Sequence, residues 1–126
     1  MKDFKKYYEI NTSPDILYSA LTNAATIQLW SGATAVMEPL EGTEFSLWED
    51  SIVGKNITLV PGKKIVQEWY FGEQPEPSIV TILLHEMKNG TSVELRHSNI
   101  PDDDYENITS GWTENYFGSL MDFYRE

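Results

Sequence analysis

His97 is the residue whose type and position best suit a chemical role. It lies in phase with the apolar residues of a predicted strand, so its ring should point inward near the end of that strand. A histidine there could act as a general acid or base, or could bind the polar group of a ligand. It could equally be a structural histidine bonded to a backbone carbonyl near Asn99 or Pro101. His85, the other histidine, falls on the opposite phase, so the pair predicts no metal site.

Aromatic side chains form a second group that could bind a molecule. Trp112 and Tyr116 lie on a predicted helix, and Trp69 and Phe71 on a predicted strand. Their rings could stack on a flat or acyl ligand, or could fill the core by themselves. Gln67 lies on the inward phase beside Trp69, and burying its amide without partners would cost on the order of 1 to 3 kcal/mol. An inward Gln67 therefore favours a partly hydrated pocket.

The remaining patterns offer little support for catalysis. The chain has no cysteine, which excludes thiol nucleophiles, thiolate metal sites and disulfides. The run Asp102-Asp103-Asp104 lacks the ligand spacing and glycine of a calcium-binding loop, and predicts a helix N-cap instead. A solvated acidic rim accounts for the carboxylates near the turns, which are Glu38, Glu41, Glu44, Glu49 and Asp50. We therefore predict no catalytic residue, metal ion or cofactor.

Composition limits the classes of partner. A chain of 126 residues with 40% hydrophobic content fits one compact domain, residues 1–126, which we expect to be monomeric. Twenty acidic and nine basic residues give a net charge of −11. This charge disfavours nucleic acids and anionic membrane surfaces, because both require a basic protein surface. The sequence contains no signal-like apolar run and no membrane span, so we expect a cytoplasmic location.

The elements that must position these side chains follow from the periodicity of the sequence. Strand patterns alternate between apolar and polar residues, and Asn89-Gly90 is a strong hairpin signal between the last two strands. Ser13-Pro14 predicts a helix start, and Ser31-Gly32 predicts a helix end. A break in alternation predicts a β-bulge near Gly54. The predicted order is strand 4–12, helices 14–21 and 24–30, and strands 34–37, 43–48, 52–60, 65–71, 79–86 and 91–98.

One long C-terminal helix is predicted from Asp102 to Glu126. Residues three or four positions apart give it an unusually aromatic face, made of Tyr105, Ile108, Trp112, Tyr116, Leu120 and Phe123. Such a face requires a large apolar surface to pack against, and the strands upstream can supply it.

The pattern as a whole predicts an α+β fold. Six or seven antiparallel strands would form one curved sheet, with two short helices after the first strand and the long helix on the concave face. A strongly twisted sheet around a helix closes imperfectly, so we expect a cavity between them. Gln67 and His97 would be its polar anchors. Its apolar wall would be Trp69, Phe71, Val80, Ile82, Leu84, Val93, Leu95, Trp112, Tyr116 and Leu120.

Four stretches resemble one known family. They are LVPGKKIVQEW at 59–69, LRHSNIPD at 95–102, Gly111-Trp112 with Tyr116-Phe117 and Leu120, and Ala20-Leu21-Thr22 with Trp30. Together they are similar to the activator of heat-shock protein 90 ATPase homologues, in the START-like, helix-grip (SRPBCC) superfamily, over essentially the whole chain. The resemblance implies a curved sheet gripping the C-terminal helix, often around a hydrophobic cavity, and a link to the stress response.

Three functions are compatible with this resemblance, because the superfamily includes carriers, co-chaperones and cyclases. Our leading hypothesis is non-enzymatic binding of a small apolar or amphipathic molecule. The alternative is a co-chaperone-like interaction module. The eukaryotic co-chaperone carries a separate N-terminal domain for which 126 residues leave no room, so we do not transfer ATPase activation. The third hypothesis is a cyclase or hydratase using His97, which has no acidic residue in phase to support it.

Overall fold

The computed structural model describes residues 1–72 and 74–125. Seven strands, four α-helices, one 3₁₀ turn and one π-helical turn make up these residues. In chain order they are β1 (Lys2–Ile10), α1 (Pro14–Thr22), α2 (Ala24–Ser31), β2 (Ala35–Val36), β3 (Glu44–Leu47), β4 (Ile52–Val60), β5 (Lys64–Trp69), β6 (Ser78–Met87), β7 (Gly90–Ile100), the 3₁₀ turn (Asp102–Asp104), α3 (Tyr105–Gly111), the π turn (Trp112–Tyr116) and α4 (Phe117–Phe123). None of the helices in these residues is long and apolar enough to cross a membrane.

The strands form one antiparallel sheet in the order β1-β7-β6-β5-β4-β3-β2. The predicted α+β, helix-grip arrangement is confirmed. The hairpin of β6 and β7 has the phase that alternation predicts, with Val80 opposite His97, and Leu84 opposite Val93. Its turn residues are Lys88 and Asn89, one position before the predicted Asn89-Gly90. Because successive strand residues face opposite sides, this register places all four side chains on the concave face.

The concave face is filled largely by the C-terminal helix. Phe117 and Leu120 are fully buried, and Phe117 stacks on Tyr8 of β1 with ring centroids 4.6 Å apart. Val80, Ile82, Val93 and Leu95 beneath them are also inaccessible to solvent. The sheet and helix therefore interdigitate over most of their contact, as expected for protein interiors at crystal-like packing density.

The two short helices begin and end where the sequence predicts. The Ser13 hydroxyl accepts a hydrogen bond from the Ile16 amide (3.3 Å), and Asn23 caps α2 through the Thr26 amide (3.0 Å). Gly32 ends α2 with a φ of +73°, a conformation that glycine adopts without steric cost. Local capping chemistry thus fixes both boundaries of α2.

The predicted bulge lies at a different place. The register of β4 against β5 shifts between Asn56 and Thr58, leaving Ile57 as the extra residue, and Gly54 pairs regularly with Trp69. The predicted bulge near Gly54 is therefore present, three residues further along β4, and Gly54 itself is not part of it. Glycine is required there for another reason, because a Cβ atom at residue 54 would collide with the carbonyl oxygen of Glu68.

The C-terminal helix is long, as predicted, but a π-helical turn interrupts it. A π turn contains more residues per turn than an α-helix, so it changes which side chains face inward after Tyr116. Phe117 is fully buried, whereas Phe123, which we placed on the packed face, is 43% exposed. The buried face of the helix therefore follows the predicted spacing only as far as Leu120.

The aspartates before this helix do not cap it through their side chains. Neither the 3₁₀ turn nor α3 has a side-chain capping hydrogen bond among the described residues. Asp102 instead binds the N-terminal ammonium of Met1 at 2.9 Å, and this ion pair lowers the pKa of the Asp102 carboxyl. The predicted N-cap was wrong in this respect, although the negative charge does lie near the helix start.

Candidate functional site

A cavity of about 480 Å³ opens between the turn that joins β3 to β4 and the C-terminal helix. This volume lies within the range of roughly 300–1,000 Å³ that is typical of small-molecule sites. Its lining residues are Trp48, Ser51, Ile52, Trp69, Asn107, Ile108, Gly111, Trp112, Asn115 and Tyr116. A wider groove beside β2, of about 780 Å³, has no aromatic lining residue in the described chain. The smaller cavity is therefore the better candidate for binding an apolar molecule.

Two stacked indoles form the floor of this cavity. Trp69 of β5 and Trp112 of the π turn lie with ring centroids 4.8 Å apart, and both are buried. The Trp69 indole N–H donates to Oε1 of Gln67 (2.9 Å), and the Trp112 indole N–H donates to Nδ1 of His97 (3.0 Å). Because both N–H groups are engaged inside the protein, the indoles of the floor offer no free hydrogen-bond donor to a ligand.

Gln67 can be buried because both polar atoms of its amide have hydrogen-bond partners. Its Nε2 donates to Oδ1 of Asn56 (2.9 Å), and the Asn56 amide nitrogen donates to the Glu38 carbonyl and the Thr43 hydroxyl, both at 3.3 Å. A buried polar chain thus runs from the β2–β3 connection to the Trp69 indole. Paired in this way, the amides avoid the cost of unsatisfied burial and hold Trp69 in one orientation.

His97 lies behind the floor, against the rings of Trp69, Phe71 and Trp112, and is only 1% exposed. Since Nδ1 accepts from Trp112, the neutral ring carries its proton on Nε2, which has no partner within the described residues. Burial lowers the pKa of His97 to about 4, so the ring is neutral at physiological pH. It is not among the residues that line the cavity, which removes the geometric support for His97 as an acid or base.

Tyr116 packs between Trp112 of the floor and the rings of Trp30 and Trp48. Its ring packs against Trp30 and Trp48, with centroids 5.2 and 5.9 Å away, and against Trp112. Burial raises the pKa of its hydroxyl far above the usual value, so the group stays neutral. Tyr116 is buried, and it also lines the cavity.

Two rows of the C-terminal helix face the cavity. Ile108, Trp112 and Tyr116, spaced four apart, form the apolar row. Asn107, Gly111 and Asn115 form a parallel row, in which two exposed carboxamides flank a residue without a side chain. Ser51 completes the polar rim across the opening. Every residue of the rim is uncharged.

The turn opposite the helix has a strained backbone. Trp48, Glu49 and Asp50 have φ angles of 50°, 53° and 69°, in the left-handed region that side-chain-bearing residues rarely occupy. A hydrogen bond from the Ser46 hydroxyl to the Asp50 carboxylate ties the turn to β3. The turn places Trp48 and Ser51 at the cavity. Such strain is found most often at functional sites.

Three of the twelve predicted site residues line this cavity, namely Trp69, Trp112 and Tyr116. Gln67 and His97 lie behind it and orient the two indoles. Phe71, Val80, Ile82, Leu84, Val93, Leu95 and Leu120 lie elsewhere, all but Phe71 buried in the core. Sequence reasoning missed Trp48, Ser51, Ile52, Asn107, Ile108, Gly111 and Asn115. The sequence did contain a signal for part of this set, because Gly111 lies inside a predicted helix, with Asn107 four residues before it and Asn115 four residues after it.

The residues around the cavity do not suit a metal ion. No group of three or more His, Asp or Glu side chains in the described chain could hold one, and the lining contains only neutral side chains. The arrangement can provide stacking, apolar burial and neutral hydrogen bonds.

Substituting alanine for each of the two glycines in the C-terminal helix should change the free energy of unfolding in opposite directions. A Cβ at residue 118 would collide with the Thr113 carbonyl oxygen, whereas a Cβ at residue 111 would have no neighbour closer than Nδ2 of Asn115, at 3.9 Å. Gly118→Ala should therefore lower the free energy of unfolding by about 1 to 3 kcal/mol. Gly111→Ala should raise it by about 0.5 to 1 kcal/mol. Urea denaturation measures both, and equal effects would contradict the described π turn.

Comparison with known proteins gives consistent similarities. Residues 11–123 match the family model described as "Activator of Hsp90 ATPase homolog 1-like protein". The "Activator of 90 kDa heat shock protein ATPase homolog 1" of Homo sapiens is 34% identical over 111 residues, covering 86% of this chain and 33% of the human protein. The homologue from Dictyostelium discoideum is 32% identical, covering 90% and 30% of the two chains. The chain thus spans about a third of the length of these relatives.

Solved structures include relatives whose chains are of similar size. The crystal structure of an HSP90 activator from Plasmodium falciparum is 30% identical, with a TM-score of 0.87, and the match covers 95% of this chain and 94% of that one. The "Aha1 dimer" from Colwellia psychrerythraea is 21% identical, with a TM-score of 0.85 over 98% and 96% of the two chains. At that identity the second likeness shows the fold alone.

Proposed function

This chain belongs to the family of Activator of Hsp90 ATPase homolog 1-like proteins, and on that premise we propose that residues 1–126 form one domain that binds a small apolar or amphipathic molecule. The binding site would be the cavity between the β3–β4 turn and the C-terminal helix. Binding would be non-enzymatic and driven by displacing water from the aromatic floor.

The observation that carries this proposal is the aromatic cavity itself. Trp48, Trp69, Trp112 and Tyr116 contribute to one opening of about 480 Å³, while the rest of the concave face is packed. Aromatic side chains in a folded domain normally pack against other protein atoms. Here they border a cavity as well as each other. The strained turn at residues 48–50 supports the proposal, because it places Trp48 and Ser51 at that opening.

Titration of the isotope-labelled protein with decanol, cholesterol sulfate and 2-naphthol would test this proposal. The probes represent acyl chains, sterols and flat aromatic molecules. Saturable chemical-shift changes at the lining residues are expected for at least one probe. If no probe perturbs residues 48–52 or 107–116, the binding function is contradicted.

The second candidate is a chaperone-binding module, and one specific observation favours it. The solved chain of the HSP90 activator from Plasmodium falciparum matches this chain over nearly its whole length, so a chain of this size carries that description. This chain would then act on an Hsp90-type chaperone. The steady-state ATPase rate of such a chaperone, measured with and without the chain, tests it. An unchanged rate together with no measurable complex would contradict this second function.

The two candidates can be separated with one variant. Gly111→Leu places a side chain in the cavity while leaving the outer surface of the sheet unchanged. Loss of probe binding with normal chaperone stimulation would assign the two activities to different surfaces. Ser110→Leu, which adds the same side chain at an exposed neighbouring position, is the matched control.

A further inference from the structure

We propose that the ligand of this cavity is a planar, uncharged aromatic molecule with hydrogen-bonding groups on one edge, and that Gly111 is the position that admits it. The inference rests on the proposed binding function. It adds the chemical class of the ligand and the residue that determines its fit.

Gly111 is the least explained residue of the helix. Its φ of −62° and ψ of −36° are ordinary helical values that any residue can adopt. A glycine at an interior helical position makes the helix less stable than an alanine would. At Gly118 the π turn excludes a side chain, but at Gly111 a Cβ would meet open space. Packing therefore does not require glycine at 111, whereas close approach of a ligand to the helix backbone would.

An accessible aromatic ring at the opening favours a planar molecule. Trp48 lines the cavity and is only half-buried, so a ligand can stack on its ring, whereas Trp69 and Trp112 stack on each other and are buried. Aromatic pairs are stabilised beyond their buried area, a gain that an acyl chain does not share. With no side chain at 111, a flat molecule could lie beside the helix backbone without steric conflict.

Charge disfavours ionised ligands. The protein carries a net charge of −11, which repels anions, and no basic residue lines the cavity in the described part of the chain. An anion would lose hydration there without gaining a counter-charge. A cation would likewise find no carboxylate among the lining residues. An uncharged molecule avoids both costs.

The rim supplies neutral hydrogen bonds. Asn107 and Asn115 stand on either side of Gly111, and Ser51 lies across the opening. Each carboxamide offers two N–H donors and one carbonyl acceptor, and the hydroxyl can do both. Both asparagines are exposed, so their carboxamides are accessible to a bound molecule. A ligand edge with mixed donors and acceptors matches this set.

Isothermal titration with 2-naphthol, 2-naphthoate and decanol tests the ligand class. We expect 2-naphthol to bind at least about tenfold more tightly than 2-naphthoate, which has the same ring system and a negative charge. Decanol, which is neutral but not planar, should also bind more weakly than 2-naphthol. Tighter binding of either competitor would overturn the inference while leaving the binding function in place. Absence of binding by all three would overturn both.

Variants at residue 111 test the role of the glycine. Gly111→Leu should weaken 2-naphthol binding by at least about tenfold, Gly111→Ala by a smaller factor, and Ser110→Leu should leave it unchanged. Urea denaturation establishes that each variant is folded, and Gly111→Ala should be more stable than the wild type. Unchanged 2-naphthol affinity in folded Gly111→Leu would overturn the assignment of Gly111.

Discussion

Replacing Trp112 with alanine should lower the free energy of unfolding by about 3 to 5 kcal/mol. The indole is 2% exposed, stacks on Trp69, and contacts Tyr116 and Phe117 with centroids 4.6 and 5.6 Å away. Its removal would leave a void at the centre of the aromatic cluster and deprive His97 of its hydrogen-bond donor. Because small domains have a total stability of about 5 to 15 kcal/mol, this loss would be a large fraction of the whole.

Trp112→Phe is the matched control for that prediction. It retains a ring in the stack but removes the N–H that donates to Nδ1 of His97, so we expect a smaller loss of roughly 1 to 3 kcal/mol. Chemical denaturation measures both variants. If the alanine variant lost less than the phenylalanine variant, Trp112 could not be the centre of the packed cluster.

Acidification should destabilise the protein between pH 6.5 and pH 5 by about 2 kcal/mol. The pKa of His97 is about 4 in the folded protein because burial disfavours the charged ring, and it rises to about 6.5 on unfolding. Below pH 6.5 the unfolded chain therefore binds a proton that the folded chain does not, and stability falls with pH. Above pH 6.5 the ring is neutral in both states, and this contribution to the pH dependence disappears.

His97→Gln provides the control, since glutamine does not titrate and its carbonyl can still accept from the Trp112 indole. Its unfolding free energy should change little between pH 6.5 and pH 5. The pKa values of the Glu94 and Asp102 carboxyls are lowered, the first mainly by its hydrogen bond to Arg96, so both groups titrate below this window. An equally steep loss in His97→Gln would mean that another group is responsible.

Short-range patterns predicted much of the fold. Alternation in β6 and β7 placed Val80 and His97 on the same face, because side chains in a strand repeat every two residues. Ser13 and Gly32 marked helix ends because each acts through neighbouring backbone atoms. These features depend on residues that are close in sequence.

The position of the cavity could not be predicted from the sequence, because it depends on residues that are far apart in the chain. The turn that carries Trp48 has left-handed backbone angles at three residues without a glycine among them, so turn chemistry gave no signal. The hydrogen bond between Trp112 and His97 joins residues 15 positions apart and depends on how the helix crosses the sheet. Whether Val80 and Leu95 face open space or packed neighbours is decided by side-chain volumes from several elements.

The π turn also escaped prediction. After this turn Phe117 is buried, whereas Phe123, which was predicted to pack against the sheet, is exposed. The π turn requires a glycine at residue 118, because a side chain there would collide with the Thr113 carbonyl oxygen. A glycine alone, however, does not identify a π turn in a sequence. The same turn carries Trp112 and Tyr116, so it contributes two of the aromatic residues that line the cavity.

The most direct measurement of whether the aromatic cavity accepts a ligand is a titration of the labelled protein with 2-naphthol, followed through its four indole N–H signals. Trp48, Trp69 and Trp112 line the cavity, whereas Trp30 does not and donates its N–H to the Ala20 carbonyl at 2.8 Å. Saturable shifts at the three lining indoles, with the smallest response at Trp30, are the predicted result. No saturable shift at the lining indoles, or the largest shift at Trp30, would contradict a binding site in this cavity.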